Sequence, residues 1–261
     1  MAAVEQIHGG WGSFTFLVDD HILRFARTAE VAAAHHREAA LLPLLAARMP
    51  FRVPEPDFFG SWGDASTCLG YPAIEGRAIT GADDWRGLAA VLRALHAFPV
   101  DTARDILGVD GAVARWRADH QRLWEQVVDQ ALPVLDADLR TRLTSAFTAF
   151  LGGDRDFTPT FVHGDLAPEH VLVDDTGRVV GLIDFEDATV GDPAIDFAGL
   201  LTLLGPDRID ELLAAYGAPV HRERLRCYWW LAPVHDLLHG LTTHDRVITA
   251  EAMTTLRERL P

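Results

Sequence analysis

Residues 161–201 read FVHGDLAPEHVLVDDTGRVVGLIDFEDATVGDPAIDFAGLL, and the organisation of the chain follows from this stretch. Phe161-Val162, Val171-Leu172-Val173 and Val179 to Ile183 are short apolar runs with the β-branching of buried strands. Asp174-Asp175-Thr176-Gly177, between the last two, has the composition of a hairpin turn. Asp165 follows the first strand and so projects from a loop. His170 directly precedes the second strand and Asp184 ends the third, so the hairpin brings them together beside the loop that carries Asp165. One carboxylate can orient an attacking hydroxyl, while an imidazole and a second carboxylate can hold a divalent cation on nucleotide phosphates. That set suits Mg2+-dependent phosphoryl transfer.

Upstream of this segment the pattern is strand-rich. Phe14–Val18 and His21–Phe25 flank the Asp19-Asp20 turn as hairpin partners. Residues 29–48 have helical spacing at Val31, Ala34, Glu38, Leu41, Leu42 and Leu45. Pro50, Pro54 and Pro56 impose an extended stretch, and strands are expected near 57–60 and 68–74. Residues 1–74 therefore read as a small lobe with an antiparallel sheet and one helix, with the boundary at Glu75-Gly76. Residues 75–261 read as a larger helical lobe around the catalytic hairpins. Helices are expected over Trp85–Phe98, Val113–Leu132 and Leu135–Leu151, and from Pro193 to the end. The fold class is α+β with two lobes.

Composition narrows the function. The 261 residues carry 38 acidic and 23 basic side chains, a net charge of −15, and every basic residue is arginine. An acidic surface serves solubility, repels nucleic acid and suits a cationic small molecule. No apolar run reaches the roughly 18 residues of a membrane span. The first residues lack the features of a secretory leader, and the two cysteines, Cys68 and Cys227, are no disulfide framework. A cytoplasmic setting is expected, with no membrane, nucleic acid or obligate protein partner.

At His163-Gly164-Asp165, at His170 and at Ile183-Asp184-Phe185, the chain resembles the aminoglycoside phosphotransferase family, which has a protein-kinase-like fold. Gly191-Asp192-Pro193-Ala194-Ile195-Asp196 is similar to that family's GDPxxD element, and Leu95-His96-Ala97 to its LHA element. Most of the family has asparagine where this chain has His170. The aminoglycoside 2''-phosphotransferases and macrolide phosphotransferases are similar to this chain in placing histidine there. The resemblance implies Asp165 as the catalytic carboxylate and His170 and Asp184 as Mg2+ ligands. ATP or GTP is implied as co-substrate and an aminoglycoside as acceptor, with a macrolide or another hydroxylated metabolite as alternatives. A nucleotide-binding pseudokinase is the reading from a different class.

His8-Gly9-Gly10-Trp11-Gly12-Ser13 also resembles the family's nucleotide-covering loop, which implies a hydrogen bond from Ser13 to phosphate. Arg24 stands in the place of the nucleotide lysine, with Glu38 as its ion-pair partner and Arg27 as a second candidate. Gly70–Gly76 resembles the segment linking the lobes, which implies base contacts around Pro72, Ala73 and Ile74. Pro72 has no N–H, so the donor is Ala73 or Ile74. His163 is expected to brace the loop, Asp192 to satisfy catalytic-loop amides, and Asp196 to anchor a helix start or the core. Asp236 and Trp230 are candidates for the acceptor site. His235 and His239 share one helix face, but the metalloprotease motif needs glutamate where Asp236 stands. His35-His36 reads as solvated helix surface.

Overall fold

Ser13–Val18 (β2) and His21–Ala26 (β3) pair antiparallel about Asp19, which takes the left-handed conformation at φ 54°. Val4–Ile7 (β1) extends the sheet beyond β2. Ser66–Pro72 (β5) pairs with β3, and Phe58–Trp62 (β4) closes the other edge, giving the order β1-β2-β3-β5-β4. This computed structural model describes residues 3–7, 12–63, 66–153 and 156–261. Arg24 lies within β3 and is 6% exposed, while Leu23 and Phe25 are only half-buried. The pleat explains this inversion: Arg24 faces the helix Ala29–Ala46 (α1) and its flanks face the outside. Thr28 caps α1 by accepting from the Val31 N–H at 3.3 Å.

The buried stripe of α1 holds Val31, Ala34, His35, Glu38, Leu41, Leu42 and Leu45. Its last three leucines belong to one continuous core with the helical part of the chain. The helix that supplies Glu38 is thus fixed to both lobes.

The chain leaves the five-stranded sheet at Pro72. Arg77–Ala78 (β6) already pairs with Val171–Val173 (β8), which pairs with Val179–Leu182 (β9). Thr160–Val162 (β7) pairs with Thr189–Gly191 (β10). These two small sheets present the loops that follow β7 and β9. Around them pack Leu88–His96 (α2), Val100–Leu107 (α3), Ala112–Gln126 (α4), Ala137–Gly152 (α5) and Ala194–Tyr216 (α6). Arg222–Leu231 (α7), Pro233–Thr243 (α8) and Arg246–Arg259 (α9) complete the lobe. No helix among the described residues is long and apolar enough to cross a membrane.

Several boundaries differ from expectation. The helix expected over Trp85–Phe98 begins as a 3-10 turn at Trp85–Gly87 and gives way to α2. α2 ends at His96, and Pro99 opens α3, where a missing N–H costs nothing. The expected Val113–Leu132 helix loosens into a π turn over Val127–Ala131 and then a 3-10 turn over Leu132–Val134, with Pro133 inside it. The strands β1, β6 and β10 are two to four residues long, too short for a periodic signal.

Candidate active site

The loop after β7 carries Asp165, 57% exposed at its side chain, and the loop after β9 carries Asp184. His170 stands between them. Its Nδ1 lies 2.7 Å from the Asp165 carbonyl oxygen. A carbonyl only accepts, so Nδ1 bears a proton and donates it there, which turns Nε2 to the other side. Nε2 faces Asp184 Oδ2 at 3.6 Å. An imidazole nitrogen and a carboxylate oxygen this close can both ligate one divalent cation. Asp184 Oδ1 is buried and accepts no hydrogen bond, and Asp184 has left-handed backbone at φ 65°. These groups fit Mg2+, which takes one or two protein ligands and completes its shell with phosphates and water. Among the described residues no three His, Cys, Asp or Glu side chains form a closed metal cage.

The loop bearing Asp165 is clasped from beneath. His163 is fully buried, stacks near His170 at 5.9 Å between centroids, and bonds through Nε2 to the Ile183 carbonyl at 2.9 Å. Burial holds its pKa below the usual imidazole range. The carboxylate that satisfies the loop amides is Asp196, which accepts from the His163 and Gly164 N–H groups, each at 2.9 Å. This corrects the expectation for Asp192. Asp192 bonds the Ala194 N–H, Arg224 Nε at 2.5 Å and the Tyr228 hydroxyl at 2.9 Å, which tie β10 to α7. Gly164 has φ 87°, and a Cβ there would lie 2.3 Å from the Asp187 carbonyl, so only glycine fits.

Arg24 and Glu38 form the expected pair at 2.8 Å, buried on both sides. Burial pushes Glu38 up to about 7 against the pull of Arg24. Tyr71, buried behind Arg24, accepts a hydrogen bond from it, and burial raises its phenol to about 12. Arg27 sits over the Phe14 ring at 4.3 Å, away from this cluster.

Ser13 departs from expectation. It is 6% exposed and its Oγ is engaged with His35 Nε2 at 3.1 Å, so it does not offer its hydroxyl to the cleft. His35, expected at the surface, is fully buried and bonds Thr67 Oγ1 through Nδ1 at 2.9 Å. Only His36 is exposed, edge-on to Phe59. Residues 8–11 of the covering loop lie outside the described residues. In the linker, the Ala73 N–H is taken by the Asp20 carbonyl at 2.7 Å, so of the two candidate donors Ile74 is the one that remains. Pro72 is exposed at the end of β5.

Burial first, and Arg24 second, hold His35 down at about 4. The unfolded chain takes up that proton near pH 6.5, the folded protein only near 4. The stability His35 lends is therefore complete above pH 6.5 and is lost as the pH falls toward 4. Glu38 titrates in the same window with the opposite sign, so the readout is a difference. Between pH 6.5 and 4, His35→Gln should lose roughly 2–3 kcal/mol less stability than wild type in urea unfolding. Parallel pH curves for the two proteins would refute this role.

Asp187 and Asp236 lie within electrostatic reach of Asp165. Burial, then the charges of Asp165 and Asp184, raises the pKa of Asp187; burial raises that of Asp236 against the pull of His235 and Arg259. Asp236 is on α8. Trp230, on α7, is half-buried with the Arg226 guanidinium 5.3 Å from its ring centre. Tyr228 is core, its hydroxyl 2.5 Å from Trp116 Nε1. Glu186, Asp187, Tyr71 and Arg224 were not anticipated from sequence. The one available signal was the acidic run Glu186-Asp187 directly after Ile183-Asp184-Phe185.

The APH model, described as the phosphotransferase enzyme family, matches residues 3–230. Among solved structures, the GDP and kanamycin complex of APH(2")-IIia is 29% identical with a TM-score of 0.88, covering 98% of this chain and 92% of that one. A macrolide 2'-phosphotransferase type I is 27% identical with a TM-score of 0.78, covering 97% and 90%. Among curated proteins, the uncharacterised YcbJ of Bacillus subtilis is 28% identical over 218 residues, 75% of this chain and 67% of its own length. The viomycin phosphotransferase of Streptomyces vinaceus matches locally, at 38% over 63 residues, 23% of this chain and 22% of that protein. The two-lobed kinase-like fold is thus shared along nearly the whole chain.

Proposed function

The chain belongs to the phosphotransferase enzyme family, and on that premise we propose that it moves the γ-phosphoryl group of ATP or GTP to a hydroxyl of a cationic, aminoglycoside-like acceptor in the cytoplasm. The observation that carries the reading is the convergence of Asp165, His170 and Asp184 at the mouth of the two small sheets. The acceptor oxygen attacks the γ-phosphorus, the bond to the bridging oxygen of the diphosphate breaks, and the hydroxyl proton passes to the Asp165 carboxylate. Asp184 and His170 would hold Mg2+ against the nucleotide phosphates, where its charge offsets what develops in transfer. Arg24, fixed by Glu38, would grip the α- and β-phosphates, and the Ile74 N–H would meet the base. Such catalysis rests on positioning and charge neutralisation.

The acceptor class follows from the carboxylates. Asp187 and Asp236 beside Asp165 favour a substrate with amino groups, whereas a macrolide would call for a broad apolar wall. The structural likeness to APH(2")-IIia, solved with GDP and kanamycin, supports the same class. The test is coupled nucleotide turnover with Mg2+ and ATP or GTP, against aminoglycosides, macrolides and simple amino alcohols. Turnover is expected with an aminoglycoside and should vanish in Asp165→Ala. Turnover with macrolides alone would replace the acceptor assignment. Nucleotide binding with no turnover on any acceptor would favour a pseudokinase.

A further inference from the structure

Arg24 is the residue assigned to grip phosphate, and in this structure its grip is already taken. Nη1 donates to Glu38 at 2.8 Å and Nη2 to Glu186 at 2.6 Å. The two carboxylates are not equivalent. Glu38 is part of α1, and its side chain is 3% exposed, so it cannot leave without unpacking the helix. Glu186 belongs to the loop after β9, is 25% exposed, and is bound to Arg24 through the same Nη2 that lies 3.4 Å from Asp184 Oδ1. Nη2 is therefore the N–H group turned toward the metal and phosphate side.

The Glu186 carboxylate also lies against the end of the covering loop. A Cβ built on Gly12 would fall 2.6 Å from Oε1 and 3.0 Å from Oε2. One internal anion thus touches both elements that would border a triphosphate: the guanidinium and the glycine that leads into β2. A guanidinium presents its N–H groups in fixed directions. A phosphate oxygen seeking Nη2 therefore seeks the position a carboxylate oxygen holds. Three carboxylates already surround the single guanidinium, so an unaccompanied phosphate also meets like charge.

We infer that Glu186 is an internal competitor for the phosphate subsite, a carboxylate that holds Arg24 and backs the covering loop until the nucleotide displaces it. The inference rests on the phosphotransferase reading. Apparent nucleotide affinity is then lowered by the fraction of molecules in which the carboxylate is in place. The competition is strongest without metal, because a bound cation offsets the crowding of negative charge.

Calorimetric titration of GDP and ADP into wild type, Glu186→Gln and Glu186→Asp tests this, once in EDTA and once in Mg2+. In EDTA, Glu186→Gln should bind roughly tenfold tighter than wild type, as for a competent state populated at about a tenth. Glu186→Asp keeps the charge but falls one methylene short of Arg24, and should tighten by a smaller factor. Should the glutamine variant melt early, the aspartate variant carries the test. Unchanged or weaker binding of the variants in EDTA, with wild type still binding, overturns the inference alone. Weakening confined to Mg2+ makes Glu186 a metal ligand and overturns it too. If no protein binds nucleotide in either buffer, the phosphotransferase reading falls and takes the inference with it.

Discussion

Asp165→Asn should bind nucleotide as wild type does and turn over about 10²–10⁴-fold more slowly, the range a positioned acid–base group contributes. The substitution changes neither the shape of the side chain nor the backbone carbonyl that receives the His170 Nδ1–H at 2.7 Å. What it removes is the ability to take up the hydroxyl proton. Asp165 is more than half exposed, so little stability is at stake. The loss should therefore fall on kcat, with the nucleotide Kd and the melting temperature unmoved. Steady-state turnover alongside nucleotide titration separates these quantities. An unchanged kcat would move the proton acceptor elsewhere, with Asp187 first in line. A weakened nucleotide Kd would instead assign Asp165 to the metal.

The convergence of Asp165, His170 and Asp184 was legible because it is local. His170 and Asp184 meet across a single hairpin, and the turn at Asp174–Gly177 reveals that hairpin from composition. Arg24 and Glu38 were legible for a similar reason, since a strand and the helix after it are neighbours by necessity. Other residues required the tertiary structure. Asp192 and Asp196 both follow the same strand, and either could have faced the loop amides. The path of α6 decides: it points Asp196 at His163 and Gly164 and leaves Asp192 to Arg224 on α7. Ser13 looked free because His35, its partner, read as half of a polar doublet. Yet His35 lies four residues after Val31 and three before Glu38, on the stripe of α1 that turns inward. That spacing was the available signal. Glu186 meets Arg24 across 162 positions of sequence, and no local pattern reports such a contact.

Asp196→Ala should cost about 3–5 kcal/mol, the range for stripping the partner from a buried charged cluster. Asp196 is fully buried and accepts three hydrogen bonds, from the His163 and Gly164 N–H groups and from His96 Nε2 at 3.0 Å. Burial would raise its pKa, but His96 and the loop amides outweigh that and hold it below the usual range, so the group is a carboxylate and only accepts. His96 must then carry its proton on Nε2, and Nδ1 accepts the Tyr216 hydroxyl proton at 2.8 Å. Alanine would leave two loop amides and an imidazole without acceptors, the His163 amide and the His96 ring inside the fold. Asparagine separates the structural from the catalytic share. Its oxygen, placed where Oδ2 was, still receives His163 and His96, but its NH2 group confronts the Gly164 N–H. Gly164 precedes Asp165 and has no slack, because a Cβ there would strike the Asp187 backbone. Asp196→Asn should therefore keep most of the stability that alanine loses, while kcat falls as the Asp165 loop shifts. Chemical denaturation and turnover of both variants give the two shares. If asparagine lowered stability as far as alanine does and left kcat intact, Asp196 would be a folding residue alone, and the orientation of Asp165 would have to come from the stacked His163 and His170 rings.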